Sequence, residues 1–119
     1  MIHSDEFLAV VNDAKGRVRE VSVGEAQERM KDGAVLIDVR EDNEFAARHA
    51  AGSRHMARGI IERDIVQTVP DKGTELILYC GGGYRSALSA DMLQKMGYTN
   101  VWSMAGGWKA WQERMRDEG

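Results

Sequence analysis

Two short apolar runs without polar alternation constrain this chain more than any other feature of it. Ala34-Val35-Leu36-Ile37-Asp38-Val39 and Glu75-Leu76-Ile77-Leu78-Tyr79-Cys80 each place apolar side chains at consecutive positions. Neighbouring side chains of a strand face opposite sides of its sheet, so such runs fit strands buried on both faces. Between and after them the period changes to that of helices. Ile60, Ile61 and Ile65 fall at helical spacing, and so do Ala87, Leu88, Met92 and Met96, which end at Gly97. Val101-Trp102 marks a third strand, and Gly106-Gly107 precedes a helix carrying Trp108, Trp111 and Met115, read as core positions. Strands alternating with helices give parallel pairing. The expected fold is α/β, a small mostly parallel sheet with helices on both faces.

With 119 residues the chain has room for one such core. Residues 1–20 read as an N-terminal helical extension and 21–119 as the domain. Ser4 with Asp5 and Glu6 makes a helix start, Phe7, Val10, Val11 and Ala14 share a helical face, and Gly16 is a stop. That helix can pack on its own domain or on a second copy, so a dimer through it is one expectation. Ser22-Val23-Gly24-Glu25 fits a capping box opening a short helix that ends near Gly33, and a short extended piece is expected around His55.

Sixteen Lys and Arg against nineteen Asp and Glu leave a net charge of −3, which argues against a nucleic-acid partner. No apolar stretch reaches the ~20 residues needed to span a bilayer, and Asp5 and Glu6 do not suit a signal peptide. One cysteine, Cys80, can form neither an internal disulfide nor a four-ligand zinc site. The expectation is a cytoplasmic protein with no membrane partner, no cofactor and a thiol free to react.

Cys80 ends the second buried run, where parallel sheets bind their ligands. Gly81, Gly82 and Gly83 follow it, and their backbone amides can turn inward as an anion-binding nest. A helix starting near Arg85 aims its positive end at the same place, and Arg85 adds a formal charge. These features favour thiolate over thiol. A cysteine pKa of ~8.5 can fall to ~3.5–7.5 in such surroundings. The alternatives are a buried structural cysteine or a phosphate-binding glycine loop. The Walker and G-x-G-x-x-G spacings that the second would need are missing.

Cys80-Gly81-Gly82-Gly83-Tyr84-Arg85-Ser86 resembles the active-site loop of single-domain rhodaneses, sulfurtransferases of the thiosulfate type. The likeness extends to Leu36-Ile37-Asp38-Val39-Arg40-Glu41, to Glu44-Phe45, His49 and Gly52, and to Ala105-Gly106-Gly107-Trp108. One stretch departs from it: Arg48-His49-Ala50-Ala51-Gly52-Ser53 stands where the family has G-H-I-P-G-A, so no proline sets that turn. The resemblance implies a relay in which Cys80 takes sulfur from thiosulfate or a similar donor and passes it to cyanide or a thiol. It also casts residues 81–86 as the substrate loop. Such a relay suits a chain with no second cysteine to resolve a disulfide. Four residues separate Cys80 from Arg85, whereas phosphatases of related fold place five there. That count favours sulfur over a phosphatase or arsenate reductase. A persulfide carrier loaded by a protein partner is a further alternative.

Asp38 and Arg40 are expected to brace the neighbouring loop, although Arg40 could bind an anionic donor. Arg48, Arg54, Arg58, His49 and His55 form a basic stretch free of acids between Phe45 and Ile61. Arg58 is singled out there as a donor-side contact. The histidines lack metal-ligand spacing. Trp108 is expected to wall the pocket, and Tyr84 to control access of the acceptor.

Overall fold

A computed structural model describes residues 2–118, with the side chains of 2–117. Met1 and Gly119, the outermost residues of the two spans named above, lie outside the described residues. The element order is α1 (Asp5–Lys15), β1 (Arg19–Val21), α2 (Val23–Lys31), β2 (Val35–Asp38), α3 (Asp42–Ala47), β3 (Arg54–His55), α4 (Ile61–Thr68), β4 (Leu76–Tyr79), α5 (Tyr84–Lys95), β5 (Val101–Met104) and α6 (Gly107–Glu118). The strands form one sheet in the order β1-β5-β4-β2-β3, with every pair parallel. The α/β expectation is met.

The two apolar runs become β2 and β4, adjacent at the centre of the sheet with Leu36 opposite Ile77 and Asp38 opposite Tyr79. Their alternate residues supply two cores. Ile37, Leu76 and Leu78 pack with Ile61, Ile65, Ala90 and Leu93 from α4 and α5. Leu36, Ile77 and Tyr79 pack with Val23, Ala26 and Trp111 from α2 and α6. Both faces are covered, which is why neither run alternates.

Ser4 caps α1 by accepting from Phe7 N, and Ser22 and Glu25 complete the capping box of α2. The Val11 and Ala14 face of α1 packs on Leu88 of α5. Three positions read as apolar face lie outside the cores: Val10 is 57% exposed, Met92 41% and Met115 37%. Each stands at the margin of its helix's buried stripe, where 3.6-residue spacing alone does not tell flank from centre. The edge strand β1 has no counterpart in the sequence reading, because Arg19-Glu20-Val21 holds a single buried residue.

Candidate functional site

β4 delivers Cys80 to the carboxyl edge of the sheet, and Gly81–Gly83 turn the chain into α5. Gly83 has φ +105°, a left-handed conformation in which a side chain would be strained. Its amide donates to Cys80 Sγ at 3.1 Å, and Ser86 Oγ lies 3.5 Å from the sulfur. The carbonyls at the start of the loop point elsewhere. Cys80 O accepts from Trp108 N at 2.7 Å and Gly81 O from Lys109 N at 3.3 Å, both at the start of α6.

Two glycines permit that docking. Gly106 and Gly107 have φ +77° and +55°, and a Cβ on Gly107 would run into the Cys80 carbonyl. With carbonyls spent on α6, amides remain for the sulfur. Cys80 is only 1% exposed and borders the core. Burial pushes its thiol up, but the Ser86 hydroxyl and the amides of Ser86, Gly83 and Gly82 outweigh it. The net shift is below the ordinary cysteine value.

Cys80 opens into a cleft of about 830 Å³, lined by Gly81, Gly82, Tyr84, Arg85, Arg58 and Glu44, with His3 and Phe7 from the N-terminal segment. The His3 ring meets Tyr84 edge-on at 4.7 Å and lies 5.1 Å from Phe7. The N-terminal segment thus forms a wall of the cleft. Arg85 does not extend freely into it: its two terminal nitrogens bind Glu44 of α3 at 2.9 and 3.2 Å. That guanidinium holds the Glu44 carboxyl below its usual range against the opposing effect of burial.

Asp38 and Arg40 lie behind the neighbouring strand end. Asp38 accepts from Arg40 N at 2.9 Å, from its Nη2 at 2.7 Å and from the Tyr79 hydroxyl at 2.7 Å. Arg40 donates onward to Arg48 O, and its guanidinium stands 5.0 Å from the Trp108 ring. Arg40 is 4% exposed and does not line the Cys80 cleft. The turn without a proline is held from the sheet instead, since Ala50 N donates to the Tyr79 hydroxyl at 3.1 Å.

The structure divides the basic stretch. Arg58 faces the Cys80 cleft, whereas Arg48 and His49 line a separate groove with Trp108 and Met115. His49 and His55, both C-terminal to Phe45 in the chain, stack with its ring at 3.7 and 4.7 Å. No metal-binding cluster is found among the described residues. Trp108 approaches the Cys80 loop through its backbone, and its ring packs beside the α2/α6 core.

Sequence reasoning missed three participants. Glu44 was visible only as a motif letter, although it neutralises Arg85 across 41 positions. Tyr79 read as core, yet its hydroxyl joins Asp38 to the Ala50 turn. Ser103, a hydroxyl in an apolar strand, was the one available hint of a polar contact there, and it sits 2.8 Å from Ser86 Oγ.

The rhodanese-like domain profile matches residues 22–114. The chain belongs to the rhodanese-like family. A thiosulfate sulfurtransferase, GlpE, from Ectopseudomonas mendocina is 33% identical over 100 residues, which cover 84% of this chain and 90% of that protein. Among solved structures, the polysulfide-sulfur transferase homodimer of Wolinella succinogenes superposes with a TM-score of 0.78 at 26% identity, covering 92% of this rhodanese-like chain and 84% of its own. A Rhodopseudomonas palustris protein of unknown function, described as a possible tyrosine phosphatase, superposes with a TM-score of 0.79 at 26% identity, covering 97% and 95%.

Proposed function

We propose that this rhodanese-like protein moves a sulfane sulfur from thiosulfate, or a donor like it, to cyanide or a thiol through a persulfide on Cys80. The supporting observation is the amide of Gly83 on Cys80 Sγ, in a loop whose opening carbonyls are turned away to α6. The thiolate attacks the outer sulfur of thiosulfate, and the S–S bond of the donor breaks. Sulfite leaves with its electron pair and Cys80–S–S⁻ remains. The acceptor then attacks the terminal sulfur, releasing thiocyanate or a new persulfide and restoring the thiolate. Sulfur transfer of this kind needs no second thiol in the protein. Intact-mass measurement after thiosulfate treatment should show one added sulfur, and cyanide should remove it as thiocyanate.

Phosphoryl transfer is the weaker reading. It would need Arg85 on the substrate, but Glu44 occupies the guanidinium and the loop has four residues between Cys80 and Arg85. The neighbour described as a possible phosphatase therefore shares the fold with this chain without deciding its reaction.

Loading by a protein donor has one observation in its favour. The cleft of about 830 Å³ is many times the roughly 30 Å³ that a water occupies in the liquid, so it is far larger than thiosulfate requires. A persulfide carried on another molecule could reach Cys80 there. A dimer through α1 is less favoured, since Val11 and Ala14 of that helix are already committed to α5.

Arg58 is the donor-side cation. It is exposed at the cleft, and among the described residues it has no acidic partner. Arg58→Ala should raise the KM for thiosulfate by about three- to tenfold with little change in kcat, because an exposed charge attracts an anion from a distance. Steady-state rates at low and high salt check this: the salt dependence of kcat/KM should shrink in the variant. Equal salt slopes in the two proteins would remove Arg58 from donor recruitment.

A further inference from the structure

Behind the sulfur lies a second buried hydroxyl that belongs to no part of the catalytic loop. Ser86 Oγ stands 3.5 Å from Cys80 Sγ and 2.8 Å from Ser103 Oγ, and both serines have 0% exposure. Ser103 comes from β5, opposite Leu78 of β4, and faces the Cys80 side of the sheet together with the buried Val101 two residues before it. A serine hydroxyl has one proton to give and lone pairs to receive. Among the described residues, Ser86 is the hydrogen-bond partner of the Ser103 hydroxyl.

Proton accounting then gives the row a direction. A buried hydroxyl proton left without an acceptor is costly, so the Ser103 proton goes to Ser86 Oγ. The proton of Ser86 is left for the sulfur. A thiolate only accepts, and in that state every proton of the row has a taker. A neutral thiol adds a proton: if it donates to Ser86, the Ser86 proton no longer serves the sulfur and must find another acceptor, such as a backbone carbonyl one turn back. The row as it stands suits the thiolate.

We propose that Ser103 is a positioning residue for the Cys80 nucleophile, its hydroxyl fixing the Ser86 hydroxyl as a donor to the sulfur. Without it, Ser86 in the first turn of α5 is free to bond a backbone carbonyl one turn back, as helical serines do. The sulfur then loses a donor. This inference deepens the Cys80 relay and rests on it, but it concerns the resting thiolate and needs no sulfur donor to be tested.

The test is the pH profile of iodoacetamide alkylation, read on folded protein checked by thermal melting. Ser103→Ala should move the midpoint up by about 0.5–1 pH unit, equivalent to a three- to tenfold lower rate below both midpoints. Ser103→Thr keeps the hydroxyl and should restore the original midpoint. In a Ser86→Ala background, Ser103→Ala should move it no further, because the two act through one contact. An unshifted midpoint in Ser103→Ala would overturn the proposal. So would failure of Ser103→Thr to restore it, or a full extra shift in the Ser86→Ala background. A purely structural Ser103 would lower the melting temperature and leave the profile in place. Failure of persulfide formation in the unaltered protein would instead contradict the proposed function.

Discussion

Cys80→Ser should lower thiosulfate:cyanide sulfur transfer by at least about a thousandfold while leaving the protein folded. The reaction proposed here passes through a covalent bond to one sulfur, and removal of a covalent nucleophile is among the most damaging changes an active site can suffer. Serine offers an oxygen of similar size to the Gly83 amide, so the loop keeps a hydrogen-bond acceptor at that point. Its hydroxyl is far less acidic than a thiol and forms no persulfide. Thiocyanate production and intact mass check this together. Residual turnover within tenfold of the unaltered protein, or a sulfur adduct on the serine variant, would contradict the relay.

Asp38→Ala should be the most destabilising single change in the loop framework, by about 3–5 kcal/mol in urea denaturation. The carboxylate is fully buried and accepts from Arg40 and from the Tyr79 hydroxyl. Its removal leaves the Arg40 guanidinium 4% exposed and without its counter-ion. It also takes from the Tyr79 hydroxyl its acceptor at 2.7 Å, leaving the longer Ser53 and Ala50 contacts; the pKa of that hydroxyl is pushed up to about 12, chiefly by burial with Asp38 adding. For a domain whose total stability is of the order of 5–15 kcal/mol, that loss consumes much of the margin. Replacing Arg40 by Met in the same chain should recover part of it, since the cost lies in the unpaired charge and not in the loss of an attraction. A change below about 1 kcal/mol in Asp38→Ala would show that the pair does not brace the strand end.

The parts of this protein that were legible in sequence share a physical property: they are local. Val35–Asp38 and Leu76–Tyr79 declare themselves because a strand buried on both faces cannot alternate. The caps at Ser4 and Ser22 need only the next three residues. Cys80, its glycines and the helix start at Tyr84 are contiguous, so their joint effect on sulfur could be reasoned through without a fold. The illegible parts join distant segments. Glu44 reaches Arg85 from α3, Tyr79 reaches the Ala50 turn, and Ser103 reaches Ser86 from β5. Those meetings depend on strand order and register. The pairing of Ser103 with Leu78 follows from neither residue's surroundings in the chain. The edge strand β1 fails for a related reason, since Arg19-Glu20-Val21 carries no apolar run for a pattern to find, whereas the extended piece expected around His55 is present as β3. Gly107 lies between the two classes. Its motif was visible, but the close approach of the Cys80 carbonyl that demands it was not.

The account turns on the claim that amides gathered at the sheet edge, with Ser86, hold the Cys80 sulfur as an anion despite its burial. Because Cys80 is the sole cysteine, the pH dependence of iodoacetamide alkylation reads that one sulfur alone. The predicted midpoint lies clearly below ~8.5, the value for an unperturbed cysteine. A midpoint at or above that value would mean that burial outweighs the loop, and the basis of the proposed chemistry would be lost.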